Sequence, residues 1–206
     1  MTKILFQGDS ITDCGRSREH DRYLGNGYAQ HIASKLNYEN PGEFTFINKG
    51  VGGNRIVDLY ARIKADIINL KPDIMSIHIG VNDVWHEVDR HNGVDAVKFE
   101  KIYDMLLAEI FEALPNIKIM LLGAYVTKGA ATEASWDYFS PEVAKRAEVA
   151  KRLAQKYNLV YVPLQEKFDE MIEKHPEPYW TQEGVHPTDA GHELIAREWL
   201  EGFKKL

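Results

Sequence analysis

The segment TQEGVHP, residues 181–187, sets an acid, Glu183, three positions ahead of a histidine, His186. Gly184 and Pro187 keep regular helix or strand out of this stretch. A histidine held in a stiff loop can take and return a proton near neutral pH. A carboxylate on the same loop can reach its other ring nitrogen. Three further segments carry complementary groups. GDSITD, residues 8–13, offers the hydroxyl of Ser10. NKGVGGN, residues 48–54, offers the amide N–H of Gly53 with no Cβ in the way, and GVNDVW, residues 80–85, offers the side-chain amide of Asn82. Taken singly, each has a plain structural explanation: Ser10 as a helix N-cap, Gly53 as a turn glycine, Asn82 as a turn residue bonded to its own backbone, His186 as a satisfied loop histidine. Together they are the parts of acyl transfer. A serine hydroxyl is a poor nucleophile at neutral pH and needs a base in reach. His186 can accept its proton and hand it to the leaving alcohol, while Glu183 fixes the tautomer and steadies the imidazolium. The N–H groups of Ser10 and Gly53 and the amide of Asn82 are three donors for an oxyanion, and losing one such donor typically costs about 10²–10³ in turnover.

Such groups are useful only if the fold brings them to one place. Short apolar, β-branched runs at residues 3–7, 44–48, 73–79, 117–123 and 159–163 read as strands. They alternate with helical patterns over 27–36, 56–69, 94–113, 141–157 and 188–203. Ile56, Leu59, Ile63, Ile67 and Leu70, for instance, recur at the helical period. Strands interleaved with helices predict a parallel sheet covered on both faces. With no repeat, low-complexity tract or linker, residues 1–206 are expected to form one domain. Ligands of an open parallel sheet bind beyond the carboxyl ends of its strands. The segments after the first three strands, and the one before the last helix, should therefore share one rim. The connection 126–140 is long enough for a lid over that rim, or for a packed surface excursion.

Composition narrows the partners. The net charge is -6 and the basic residues are scattered, which argues against nucleic acid. A single cysteine, Cys14, permits neither an internal disulfide nor a cysteine zinc site, and the histidines show no metal-binding spacing, so no metal is expected. No run approaches the roughly 20 apolar residues of a membrane helix. The first residues enter a strand pattern directly, with no leader-like apolar region, so a cytoplasmic protein with no membrane partner is expected. GDSITD lacks the glycines and the lysine of a phosphate loop, which argues against a nucleotide cofactor. The aromatic side chains suit a core or a sugar-stacking cleft. His78 reads as a hydrogen-bonded core histidine and Cys14 as a buried, inert thiol. Asp9 reads as a brace for the turn at Ser10. Asp9, Arg55 and Trp85 are also kept as candidates for lining the substrate pocket, with packing the alternative for the latter two.

GDS at Ser10, the glycine at Gly53, GVND at Asn82 and GVHP at His186 resemble the four signature blocks of the SGNH (GDSL) hydrolases. The resemblance implies a three-layer α/β/α sandwich of flavodoxin-like type with a five-stranded parallel sheet. It also implies serine esterase chemistry with no metal or organic cofactor. FQGDSITDCGR, NKGVGGN and IGVNDVW are most similar to the acetylxylan esterase branch, which removes acetyl groups from xylose units. Some members of that branch form large homo-oligomers, so a homo-oligomer is expected here. The sequence departs from the family in one place: the last block usually reads Asp-x-x-His, and Glu183 stands at the acid. Its extra methylene overshoots unless the loop backs away or the side chain folds. Asp189, beyond the histidine, is the near substitute. The main expectation is a serine esterase acting on a small acyl group, acetyl first, carried by a sugar. The alternatives are a general short-chain esterase or lysophospholipase-like hydrolase and, outside the enzymes, a non-catalytic carbohydrate-binding relative that Glu183 keeps open.

Overall fold

In the computed structural model, which describes residues 1–206, strands and helices alternate. The order is β1 (Thr2–Gly8), α1 (Ser10–Asp13), α2 (Tyr28–Glu39), β2 (Phe44–Asn48), α3 (Ile56–Ala61), α4 (Ile63–Asp66), β3 (Ile74–His78) and α5 (Val81–Arg90). Then come α6 (Ala96–Ala113), β4 (Lys118–Leu122), α7 (Trp136–Tyr157), β5 (Val160–Val162), α8 (Leu164–Lys174) and α9 (Asp189–Phe203). Side chains along the strands divide between two cores. Ile4 and Phe6 of β1, with Met120 and Leu122 of β4, enter one hydrophobic cluster; Leu5, Ile119 and Leu121 enter the other. A strand buried on both faces needs cover on both. Tyr28, Ile32, Phe168, Ile195 and Trp199 of α2, α8 and α9 cover the first face. Ile56, Leu59, Phe99, Tyr103 and Leu153 of α3, α6 and α7 cover the second. Each such side chain contributes about 1.5–3 kcal/mol by leaving water.

The sheet order is β2-β1-β3-β4-β5, and every pairing is parallel. This is the three-layer α/β/α sandwich around a five-stranded parallel sheet that the sequence predicts. The order turns back on itself at β1, which lies between β2 and β3. Gly8 pairs with His78 on β3, and Phe6 pairs with Asn48 on β2. The segments leaving these three strands therefore emerge side by side, at the switch point where ligands of such sheets bind.

Several elements differ from expectation. The helix expected over 56–69 is broken into α3, α4 and a 3-10 turn at Ile68–Leu70, with interruptions at Arg62 (ψ 13°) and Ile67 (φ -134°). The cause at the first break is Arg62, whose guanidinium turns inward to bond the end of β1. Two helices were not foreseen. In α5, polar residues between Val81, Val84, Trp85 and Val88 hide the apolar stripe; α8 presents Leu164, Phe168, Met171 and Ile172. The long connection expected over 126–140 is shorter, because α7 already begins at Trp136 and a 3-10 turn occupies Glu133–Ser135. No helix is long and apolar enough to cross a membrane.

Candidate active site

β1 ends at Gly8, and Asp9 caps the short helix that follows: its Oδ1 accepts the N–H of Ile11 at 3.0 Å. Asp9 is buried, at 1% exposure, so it braces the turn and is removed from the candidates for substrate contact. Its second oxygen has no partner. Burial pushes the carboxyl up to about 7, against the opposing pull of the Ile11 N–H and of His186. The brace leaves the next residue, Ser10, at the rim, with Oγ 2.8 Å from Nε2 of His186.

The imidazole is held from behind. Its Nδ1 lies 2.6 Å from Oε1 of Glu183, and the same oxygen accepts the His186 backbone N–H at 3.0 Å. The longer acid therefore folds back over its own loop, so that one oxygen takes both the ring and the main-chain proton. With Nδ1 donating to the carboxylate, Nε2 is left to accept from the serine hydroxyl. Asp189, the other acid near the histidine, opens α9 and makes no bond to the ring. The pair is accessible, with the His186 side chain 36% exposed and that of Glu183 24%.

The second and third blocks close on Ser10 from the side. Asn48 donates through Nδ2 to the carbonyls of Thr12 at 2.6 Å and Leu24 at 2.8 Å, and accepts the Gly50 N–H at 2.9 Å. The Gly52 N–H reaches Asp13 Oδ2 at 3.2 Å, and a Cβ on Gly52 would lie 3.8 Å from the Cβ of Ser10. Gly53 follows at φ +78°, a left-handed conformation that glycine adopts without strain, and its N–H makes no hydrogen bond within the chain. Asn82 is 6% exposed, and its amide donates to the carbonyl of Asn54 at 3.2 Å, leaving a second hydrogen. The neighbouring Asp83 is buried and accepts the N–H of Ile56 at 3.1 Å, tying the third block to the start of α3. Desolvation raises its carboxyl well above the usual range. Four segments from distant parts of the chain thus meet, as the topology requires.

Of the remaining candidates, Arg55 is occupied. It grips Asp58 at 2.9 and 3.1 Å and the Asn92 carbonyl at 2.7 Å, which makes it the cap of α3. Trp85 lies against the imidazole of His186, ring centres 5.8 Å apart, and meets Phe139 edge-on at 6.2 Å. His78 is buried and stacks on Tyr125 at 5.7 Å. Contrary to expectation its Nδ1 has no hydrogen-bond partner, and burial pushes the ring down to about 3, so it stays neutral. Cys14 is half-buried rather than buried; its sulfur lies 3.3 Å from Nε2 of His192, and desolvation raises the thiol. No three His, Cys, Asp or Glu side chains gather so as to hold a metal ion.

Two residues escaped the sequence reading. Arg62 donates to the side chains of Gln7 at 2.9 Å and Asn54 at 2.8 Å, and to the carbonyls of Lys49 at 2.8 Å and Gly8 at 3.2 Å. It binds the first two blocks together. Its signal was a cation three residues after Leu59, on the apolar side of that helical pattern. His86, next to Trp85, would have its Nε2 3.9 Å from a Cβ on Gly53, and burial with Arg90 and Arg55 lowers its pKa. Nothing in the sequence marked it out. Two clefts, of about 570 and 510 Å³, lie beside Thr127 and between α2 and α9, and neither is lined by Ser10 or His186.

The fold has many counterparts among solved structures. The model of the GDSL-like lipase/acylhydrolase family matches residues 6–194. An acetylxylan esterase of Geobacillus stearothermophilus is 33% identical over 211 residues, covering 98% of this chain and 94% of that protein. Its crystal structure superposes with a TM-score of 0.88 at 32% identity, over 98% of this chain and 93% of that one. A Parabacteroides merdae protein described as a GDSL-like lipase reaches 0.94 at 34% identity, over 98% and 95% of the two chains. The chain belongs to the GDSL-like lipase/acylhydrolase family. It is a carboxylic ester hydrolase.

Proposed function

We propose that this protein is a serine esterase that removes short acyl groups, acetyl above all, from carbohydrates such as acetylated xylo-oligosaccharides. The observation that carries the reading is the unbroken line from Ser10 Oγ through His186 to Glu183, at 2.8 and 2.6 Å. His186 Nε2 takes the hydroxyl proton as Ser10 Oγ bonds to the ester carbonyl carbon. The carbonyl oxygen gains the charge and meets the N–H groups of Ser10 and Gly53 and the Asn82 amide. The tetrahedral adduct then collapses, the C–O bond to the sugar breaks, and the Nε2 proton goes to the departing oxygen. Water repeats the sequence on the acyl-serine: its proton passes to His186, then returns to Ser10 Oγ as the carboxylic acid leaves. Glu183 accepts from Nδ1 throughout and stabilises the imidazolium.

The relative from Geobacillus stearothermophilus supports the choice of acetylated xylose units, and its variants described as catalytic mutants replace a serine and an aspartate with alanine. Glu183 takes the acid's place here. The test is acetate release from acetylated xylo-oligosaccharides by the wild type and by Ser10→Ala. We expect release by the wild type and none by the variant, with an unchanged melting temperature. A folded Ser10→Ala enzyme that still turns over would remove Ser10 from the reaction. Wild-type hydrolysis of p-nitrophenyl acetate with no acetate release from the sugar would favour a general short-chain esterase.

A further inference from the structure

The loop that carries Glu183 and His186 has little regular structure of its own. One bridge pairs Thr181 with Pro187, and the Gln182 N–H donates to the His186 carbonyl at 2.8 Å. Glu183 and Gly184 lie at its tip. Their carbonyls are not left to solvent: the Thr127 N–H donates to Gly184 O at 2.8 Å and the Ala131 N–H to Glu183 O at 2.9 Å. The fit is close enough to exclude a side chain, because a Cβ on Gly129 would lie 2.5 Å from the carbonyl carbon of Glu183. The 126–132 segment is fixed in turn by Thr132, fully buried, whose hydroxyl accepts the Gly129 N–H at 2.9 Å and donates to Thr127 O at 2.7 Å.

Beneath this contact lies a chain of buried hydroxyls. Thr181 Oγ1 accepts the Gly184 N–H at 3.0 Å, lies 2.8 Å from Thr127 Oγ1, and lies 3.1 Å from Glu177 Oε2, which also accepts the Thr181 N–H at 3.0 Å. The proton order follows from valence. A carboxylate only accepts, so Thr181 donates to Glu177; its one proton is then used, and Thr127 must donate to Thr181. Every hydrogen-bonding position of the Thr181 hydroxyl is filled, at 1% exposure.

We propose that the 126–132 segment and the linked hydroxyls of Thr127 and Thr181 form a positioning clamp that holds the Glu183 carboxylate on the His186 ring. The clamp accounts for a glutamate in the acid role: the loop is gripped at the backbone of Glu183 and Gly184, so the longer side chain has room to fold back. It also assigns the long connection a role that is neither a lid nor an idle excursion. The inference rests on Glu183 orienting His186. Thr181 and Thr127 touch no reacting atom and act only through that pair. A misplacement of about 1 Å in such a pair can cost about 10² in rate.

The test compares Thr181→Val, Thr181→Ser, Thr127→Val and Glu183→Gln on p-nitrophenyl acetate, with proton NMR of the His186 Nδ1–H. Thr181→Val should lower kcat by about 10- to 100-fold with KM little changed. The acid limb of its kcat/KM profile should move to lower pH, and the downfield Nδ1–H resonance should shift upfield or broaden. Thr181→Ser keeps the hydroxyl and should restore all three. Thr127→Val, which removes one link, should show the same changes more weakly, and it carries the test if Thr181→Val does not fold. A folded Thr181→Val or Thr127→Val enzyme with lower thermal stability but unchanged kcat, pH limb and resonance would overturn the clamp. If Glu183→Gln loses turnover while the threonine variants do not, the clamp alone fails; if Glu183→Gln keeps wild-type turnover, the acid role fails and the clamp with it.

Discussion

Replacing Glu183 by Gln removes one charge and almost no volume. The amide oxygen can still accept from His186 Nδ1 and from its backbone N–H, the two bonds now made at 2.6 and 3.0 Å. What is lost is the ionic part of those bonds and the attraction for the imidazolium that forms as Ser10 gives up its proton. A hydrogen bond to a charged group contributes about 1.5–3 kcal/mol, against about 1 for a neutral pair. Two unit charges about 4 Å apart interact by about 4 kcal/mol at an effective dielectric near 20. Side-chain exposures of 36% and 24% let water screen the pair, so the loss lies toward the lower end of about 2–4 kcal/mol. At about 1.4 kcal/mol per decade this is about 30- to 1000-fold in kcat. KM should change little, because Glu183 acts on the reaction only through the His186 ring it bonds. The assay is steady-state hydrolysis of p-nitrophenyl acetate over pH 5–9, with Ser10→Ala as the background. Glu183→Asp is a useful companion. Its carboxylate falls short by about one C–C bond, 1.5 Å, but it keeps the charge that Gln removes, so its loss should be smaller than that of Gln. A Gln variant within threefold of wild type would mean that some other group orients the ring.

Two further outcomes test neighbouring groups. Asn82→Ala should lower kcat by about 10²–10³ if its free amide hydrogen meets the oxyanion, measured on the same ester; a change in KM alone would place Asn82 in binding instead. Asp9→Asn keeps the cap on Ile11 but cannot ionise. The Asp9 carboxyl is raised from an ordinary 3.8 to about 7, so the fold holds its proton more tightly than the unfolded chain does. Its ionisation therefore costs stability progressively as pH rises from about 4 to 7, and costs nothing below that window. The variant should gain on the wild type across this range, by as much as about 4 kcal/mol, in urea midpoints taken at pH 5 and 8. A difference that does not grow with pH would mean the carboxyl ionises freely.

Much of the fold was legible because the strands obey simple rules. Buried β-branched runs between helical patterns left few arrangements, and the carboxyl-end rule put Ser10, Gly53, Asn82 and His186 on one rim. The failures have physical causes. The 56–69 stretch has a clean helical period, but Arg62 interrupts it to reach the carbonyls of Gly8 and Lys49, contacts that exist only once β1 and the second block are in place. α5 was hidden because Asn82 and Asp83 in its first turn, and the polar residues after Trp85, interrupt the apolar stripe. The Cys14 contact with His192 joins residues 178 positions apart, and no local pattern encodes it.

The sequence by itself determined the chemical inventory: a hydroxyl, an imidazole, an acid on the imidazole's own loop, and amide donors, each at the end of an element with a recognisable period. Local composition can specify these because turn residues and hydrophobic spacing act over a few positions. Only the tertiary structure decided which acid faces the ring, that Asp9 is shut away from the surface, and that residues 126–132 grip the Glu183 loop. Those outcomes depend on distances of tenths of an ångström between segments far apart in the chain, which are set by how two cores pack on one sheet.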